Sequence, residues 1–242
     1  MKVYVYPADQ QGCGYVRLIW ACNHLRRLGH DVVIIPPSAT TGIEGDINSE
    51  TDQLVNVRVP TDADVIVLQR VLLKYIADAI PHIRASGRAV VVDMDDDLTT
   101  VDPANPAFMA MHPKYARDPK RHWGHATRAC MEATLVTVST PQLLKVYAPH
   151  GRGRVITNCV PAGFLGLEHW DSGVIGWGGS LHSHPRDMIP LGSSIAQLMR
   201  AGAEFCVVGP PDGMKAALGL DREPLSTGPM DIKDWPVGLA QN

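Results

Sequence analysis

The sequence predicts an α/β protein built from two successive Rossmann-like halves with parallel sheets, the second of them incomplete. Three observations carry this expectation. The amino terminus reads as strand, amphipathic helix, strand, the βαβ unit of a parallel sheet. Ala89–Val92 is an uninterrupted apolar run of the kind found in the middle of such a sheet, buried on both faces. The same strand-to-helix logic starts again at Val174, after a stretch rich in glycine and proline.

Taken in order, Lys2–Tyr6 is a short β-rich run ended by Pro7, and Ala8–Gly14 is polar and glycine-containing. From Tyr15 to Leu28 the apolar residues Leu18, Ala21, Cys22, Leu25 and Leu28 fall at helical spacing, and Gly29 stops the helix. Asp31–Ile35 is the second strand, closed by Pro36-Pro37, and Thr40–Glu50 reads as a polar loop. Leu54–Val59 and Val65–Leu68 are the next apolar runs, and Leu72, Ile76, Ala79, Ile80 and Ile83 stripe a helix ending near Gly87. Strand Ala89–Val92 then leads into Asp93-Met-Asp-Asp-Asp97. A proline-containing loop follows, with a helix through Trp123, Thr127 and Cys130, and strand Leu135–Val138. Ser139-Thr140-Pro141 has the signature of a helix start, a hydroxyl cap before a first-turn proline, for a helix reaching Tyr147. Val155-Ile156 is the last small strand of the first half. Pro161–Ser172, with Trp170, reads as an interdomain linker. The second half is expected as strand Val174–Trp177, helix Asp187–Arg200, strand Phe205–Val208, and short helices in Asp212–Leu218 and Asp231–Leu239. Two or three strands leave a parallel sheet with open edges, so this half reads as cut short.

Composition narrows the function classes. The 242 residues carry a formal net charge of -3, with 45% hydrophobic and 19% charged residues, a soluble globular profile. That charge gives no electrostatic case for nucleic acid or an anionic membrane. The short basic clusters Lys120-Arg121 and Arg152-Gly-Arg154 read as solvated faces or helix ends. Five scattered cysteines without a CxxC predict reduced thiols, hence a cytoplasmic setting without a zinc site or disulfide framework. No signal peptide and no transmembrane segment are expected.

The densest motif is Val174-Ile-Gly-Trp-Gly-Gly-Ser-Leu-His-Ser-His-Pro-Arg-Asp187. A strand feeding a glycine turn and a helix N-terminus can build an anion site: Gly178, Gly179 and Ser180 let backbone approach a phosphate, and first-turn N–H groups point at it. The plainer alternative is a tight strand-to-helix connection. His184 and Asp187 fall at the expected helix start, His184 either as a cap or surface residue or as a donor to a phosphate or sugar hydroxyl. Dinucleotide fingerprints fail, because the third glycine is replaced by Arg17 in one half and Leu181 in the other. Pro36 and Gly209 also stand where the ribose-binding acid would be, and there is no P-loop.

Asp93, Asp95, Asp96 and Asp97 follow a buried strand at the sheet edge where α/β proteins bind ligands. Carboxylates this close need counter-charges, hydrogen bonds or a metal. A phosphatase-like DxDx[TV] reading meets Asp97 at its last position and is not on the first strand. Two readings remain: caps with solvated partners, or ligands for the hydroxyls of a polar acceptor. Arg70, at the same edge, is placed to pair with the aspartates or a phosphate, or else to end in solvent.

Four segments in order resemble the GT-B class of nucleotide-sugar glycosyltransferases, in particular bacterial and phage members similar to its retaining group. They are Leu25-Arg-Arg-Leu-Gly-His-Asp-Val32; Val90-Val-Val-Asp-Met-Asp-Asp-Asp-Leu98 with Asn105-Pro106; Val136-Thr-Val-Ser-Thr140 with Val155-Ile-Thr-Asn158 and Val160-Pro161; and Ile175-Gly-Trp-Gly-Gly-Ser180 with Ser183-His-Pro-Arg-Asp187. The resemblance implies an N-terminal acceptor domain over 1–160, a linker over 161–172 and a partial donor-nucleotide domain over 173–242. It implies transfer of a sugar from a nucleotide-sugar donor to a hydroxyl acceptor on a glycan, lipid or protein, with no cofactor and no required metal. Gly178, Gly179, Ser180, His184, Arg186 and Asp187 would then meet the donor, with Gly12 and Gly14 facing them across the cleft. Arg70 and Arg186 would supply counter-charge, and Asp96 and Asp97 would hold the acceptor. The family's later donor-gripping acidic residue lies beyond the end of this chain, which therefore reads as a fragment. A non-catalytic binding module and a sugar-nucleotide epimerase of the same fold are the competing readings.

Overall fold

The computed structural model describes residues 1–37, 42–168 and 172–241. Thr40 and Thr41 of the expected loop, and Trp170 of the expected linker, lie outside the described residues. By internal packing the chain divides into two compact units, Met1–Val101 with Met109–Val160, and Asp102–Phe108 with Pro161–Asn242.

The first unit is built on a six-stranded parallel sheet: β1 (Lys2–Tyr6), β2 (Asp31–Ile34), β5 (Val65–Gln69), β6 (Ala89–Met94), β7 (Leu135–Val138) and β8 (Gly153–Val155), in the spatial order β2-β1-β5-β6-β7-β8. The sequence runs outward to β2, then returns past β1 to β5, so the order reverses between β1 and β5. In open α/β sheets the crevice at the carboxyl ends of such a pair is where ligands bind.

The first crossover is one continuous helical stretch in three parts, α1 (Gly12–Gly14), a π-helical segment (Tyr15–Ile19) and α2 (Trp20–Arg27). It begins three residues earlier than its apolar periodicity predicts, and Gly29 ends it with a φ of 86°. Leu18 and Cys22 pack with Val5 and Val32 on one sheet face. Alternation puts Tyr6, Ile66 and Leu68 on the other, where α3 (Lys74–Ala85), α5 (Trp123–Glu132) and α6 (Pro141–Tyr147) supply Ile80, Ile83, Ala126, Ala129, Leu143 and Tyr147. Val90 and Val92 of β6 are completely buried on that face, while Val91 opposite is half-buried. Thr140 caps α6 by accepting from the Leu143 N–H at 3.3 Å, with Pro141 in its first turn.

Two expectations need correction here. The polar stretch read as a loop contains β3 (Glu44–Ile47), which pairs antiparallel with β4 (Leu54–Arg58). Its sequence Glu-Gly-Asp-Ile holds one β-forming residue, Ile47, so the strand is held mainly by backbone pairing. The proline-containing loop after the aspartates includes α4 (Pro106–Met111), with proline at its first position.

The second unit has a three-stranded parallel sheet, β9 (Val174–Gly178), β10 (Glu204–Val208) and β11 (Leu225–Ser226), ordered β11-β10-β9. Its core gathers Met188, Ile195, Phe205, Val207, Met214 and Leu218 around β10, α7 (Ser194–Arg200) and α8 (Met214–Leu218); α9 (Trp235–Gln241) follows. The helix expected over Asp187–Arg200 begins only at Ser194. Residues 181–192 form successive turns and a short 3₁₀ segment, Ile189–Leu191, because Pro185, Pro190 and Gly192, with a φ of 52°, interrupt any helix there. Ala162–Gly166, inside the stretch read as linker, is a 3₁₀ turn. No described helix is long and apolar enough to cross a membrane.

Candidate functional site

The carboxyl edge of the six-stranded sheet gathers the charged residues of the first unit, and each aspartate after β6 has a different partner. Asp93 is still inside the strand and points to the face covered by α1 and α2. There Arg17 grips it with Nη2 at 2.7 Å from Oδ1 and Nε at 3.1 Å from Oδ2, both side chains being 2% exposed. Thr137 donates to the same carboxylate at 2.6 Å, and Arg17 Nη1 reaches Asn158 Oδ1 at 3.1 Å and the carbonyl of Ile156. This buried network joins the first helix to the ends of β6, β7 and β8.

Asp95 forms a bidentate pair with Arg70, Nε to Oδ1 at 2.5 Å and Nη2 to Oδ2 at 2.6 Å. The same Nη2 donates to Asp96 Oδ2 at 2.8 Å and to Cys13 Sγ at 3.0 Å, and Nη1 lies 4.0 Å from Asp9. Asp96 remains 63% exposed at its side chain. Asp97 accepts from the Thr99 N–H at 3.0 Å, capping the 3₁₀ turn Leu98–Thr100. Tyr147 fixes the loop from below, donating to the Asp96 carbonyl at 3.1 Å and accepting from the Leu98 N–H at 2.9 Å. Ser139 donates to the Asp95 carbonyl at 3.1 Å.

The atoms that Cys13, Asp95 and Asp96 offer lie within 4.8 Å of one another, a spacing suited to a metal ion. Here Arg70 Nη2 donates to all three, so the cluster is organised around a guanidinium. Burial opposes the charge on Arg70, but the hydrogen bonds and attraction of Asp95, with help from Cys13 and Asp96, hold its pKa above the ordinary value. Burial raises Cys13 to about 12; Arg70 lowers it and Asp95 raises it, so the thiol stays protonated and is no activated nucleophile. Arg70 also adopts a φ of 48°, left-handed backbone that costs a non-glycine residue roughly 1–3 kcal/mol and that concentrates at functional sites. Its backbone N–H is tied to the Asp93 carbonyl at 3.0 Å.

Across the β1/β5 reversal, Gln69 accepts from the Ala8 N–H at 3.0 Å and donates to the Cys13 carbonyl at 3.3 Å, fastening the loop that contains Gly12 and Gly14. Asp9 Oδ1 accepts from the N–H groups of Gln11 and Gly14, each at 2.9 Å. The chain's own carboxylate thus occupies part of the helix N-terminus where an outside anion would sit. Gly14 is glycine for packing, since a Cβ would lie 2.0 Å from the Asp9 carbonyl oxygen; at Gly12 a Cβ would meet nothing within 4 Å.

In the second unit the glycine turn follows β9, but no helix begins behind it, so Gly178, Gly179 and Ser180 face no helix N-terminus. A Cβ on Gly178 would lie 2.8 Å from the Trp235 ring, and one on Gly179 would lie 2.8 Å from the Trp177 ring. A Cβ on Gly209 would stand 2.3 Å from the Gly179 carbonyl oxygen, so these glycines let the ends of β9 and β10 close together. His184, Arg186 and Asp187 lie exposed in the turns. Arg186 is paired with Asp102, and Asn105 donates to the Ser183 carbonyl at 2.6 Å, so 102–108 buttresses this segment.

The structure therefore brings Arg70 and Asp96 together, sets Asp97 beside them as a cap, and puts Gly12 and Gly14 at the adjacent helix start. Asp9, Cys13, Arg17 and Gln69 are the members that pattern reading left without a role. For Arg17 the signal was present, as the one charge in the apolar run Tyr15–Cys22. No protein-family model matches the chain, and no curated protein is similar enough in sequence to count as a relative.

Proposed function

We propose that the chain is the acceptor-binding part, with a portion of the donor-binding part, of a nucleotide-sugar glycosyltransferase of the GT-B arrangement. The observation that carries the reading is the Arg70–Asp95–Asp96 cluster at the ligand-binding edge of a parallel sheet that reverses order beside it. Asp9, Asp95 and Asp96 outnumber the one arginine, which favours hydroxyl groups over phosphates as partners and fits an acceptor subsite. In this reading Asp96 accepts hydrogen bonds from the acceptor, and Arg70, locked by Asp95, positions Asp96. The turn Ser180–Asp187 meets the donor diphosphate, with Arg186 changing partner from Asp102 to phosphate. Transfer then rests on positioning and on stabilising the leaving diphosphate, without metal.

A second reading, a binding module without transferase activity, is favoured by one observation: Asp9 and Asp102 already satisfy groups expected to meet the diphosphate. Calorimetric titration with UDP, GDP, ADP and CMP separates the readings. The transferase reading expects one nucleoside diphosphate to bind, with at least about tenfold weaker binding by Arg186→Ala, the loss of one charge-assisted contact. If none of the four binds to this chain or to any longer natural form of it, the proposal fails.

A further inference from the structure

Away from the carboxylate cluster, the start of α5 is built in an unusual way. Its N-cap is His122, whose Nδ1 accepts from the Gly124 N–H at 3.0 Å. Serine, threonine, aspartate and asparagine fill this role in most helices, and of these only aspartate titrates, well down in the acid range. A lone pair on Nδ1 is required, so the cap exists only while that nitrogen carries no proton. Gly124 is glycine because a Cβ there would lie 2.8 Å from the imidazole. The ring of His125 stacks on that of His122, centroids 3.9 Å apart and planes at 26°. The Nε2 of His125 is buried without a hydrogen-bond partner.

The charged and polar groups around His125 oppose one another. His122 and Arg128, both on the α5 side, disfavour its cation, whereas the Asp78 carboxylate on α3 and the Pro119 carbonyl favour it. Asp78 is itself engaged by Arg128 at 2.6 Å and Lys74 at 2.9 Å. Burial is the largest influence, and the balance leaves the pKa below the ordinary value.

The capped segment is attached to the run that follows Arg70. Lys74 donates to the Lys120 carbonyl at 2.7 Å, His122 donates to the Leu72 carbonyl at 3.0 Å, and Leu73 and Arg121 form an antiparallel bridge. We propose that His122 and His125 form a proton-operated latch that holds the strip 120–122 against 72–74, and that acidification releases this strip and loosens the backbone leading to Arg70. The latch stands on its own geometry, whatever ligand the carboxylate cluster binds.

The sign follows from linkage. For His125, whose folded pKa is lowered by burial, stability is contributed in full above the unfolded pKa near 6.5 and is lost as pH falls through the lower folded value. Amide hydrogen exchange of Lys74, His122 and Gly124 in the whole chain, at about pH 7.5 and about pH 5.5 on either side of that value, tests the latch. Corrected for intrinsic rates, protection at these three amides is expected to fall by up to about tenfold, the most that one pH unit below 6.5 can give a single histidine, while Val136, bonded to the Arg152 carbonyl in the sheet, holds its protection. His122→Asn keeps a capping oxygen that does not titrate and is expected to reduce the fall to the share that His125 contributes. Imidazole ¹⁵N shifts of the wild-type chain show whether His122 Nδ1 or His125 gains a proton as protection is lost. Unchanged protection, an equal fall in His122→Asn, or a fall with neither imidazole protonated overturns the proposal.

Discussion

Replacing Arg17 by methionine removes a guanidinium but keeps most of an unbranched side chain, so the cavity term is small and the electrostatic term dominates. Four hydrogen bonds disappear, two of them to Asp93, which keeps only the Thr137 hydroxyl among its side-chain partners given above, at a site 2% exposed. Breaking a buried ion pair from one side costs about 3–5 kcal/mol, because the remaining charge has lost its counter-ion and is not rehydrated. Against the 5–15 kcal/mol typical of a domain, the first unit should lose a large share of its stability. Asp93→Val in the same background removes the stranded charge, so the double variant should be more stable than the sum of the singles by about 2 kcal/mol or more. The two units unfold separately in principle, so one midpoint for the whole chain is not the right readout. Cys130 and Cys206 are both buried, one in each unit, and pulsed thiol labelling along a urea gradient reads each unit by itself. Cys130 should become reactive at lower urea in Arg17→Met while Cys206 keeps its midpoint. A loss below about 1 kcal/mol, the value of an ordinary exposed pair, or an additive double variant would refute the argument.

The paired glycines of the first helix should respond in opposite directions. Gly12→Ala meets open space and should be neutral or stabilising by up to about 1 kcal/mol, whereas Gly14→Ala drives a Cβ into the Asp9 carbonyl and should cost about 1–3 kcal/mol. The Cys130 labelling midpoint ranks the two, and the reverse order would show that the Asp9 loop is misplaced. Cys13, raised to about 12, should be alkylated by iodoacetamide far more slowly than exposed Cys159 at neutral pH, and should gain reactivity only as pH climbs toward that value. Equal neutral-pH rates, measured by peptide mass spectrometry, would mean that Arg70 activates the thiol instead of merely donating to it.

The parts of the fold legible in the sequence are those where one-dimensional pattern and burial coincide. Ala89–Val92 is apolar without interruption because it lies inside a parallel sheet, and Thr140-Pro141 marks its helix start by local chemistry alone. The hairpin strand Glu44–Ile47 carries no such pattern, since one residue of its four is apolar and its stability comes from pairing with Leu54–Arg58. The helix expected from Asp187 begins only at Ser194, because Pro190 and Gly192 interrupt it before then. At the carboxylate cluster the aspartates were legible as a group that needs counter-charge. Which cation serves which carboxylate was not, because Arg17 meets Asp93 across 76 positions and Arg70 meets Asp95 across 25. Such pairings are properties of strand order, and strand order is not written in any window of sequence.

Strand order also decides what the cluster can bind. The reversal between β1 and β5 brings the Asp9 loop beside Arg70, and β6, next in the sheet, adds Asp95 and Asp96. Arg70 is the residue that could attract an anion here, yet Asp95 takes two of its donors and Asp96 shares a third. The helix N-terminus beside it, the other source of positive potential, has Asp9 against the Gln11 and Gly14 N–H groups. An arriving phosphate would have to displace carboxylates that are covalently part of the chain and therefore always present at high effective concentration. A hydroxyl can instead donate to exposed Asp96 while the arginine pairs stay intact. That asymmetry in what must be broken is the physical ground for the proposal of a hydroxyl acceptor at this edge.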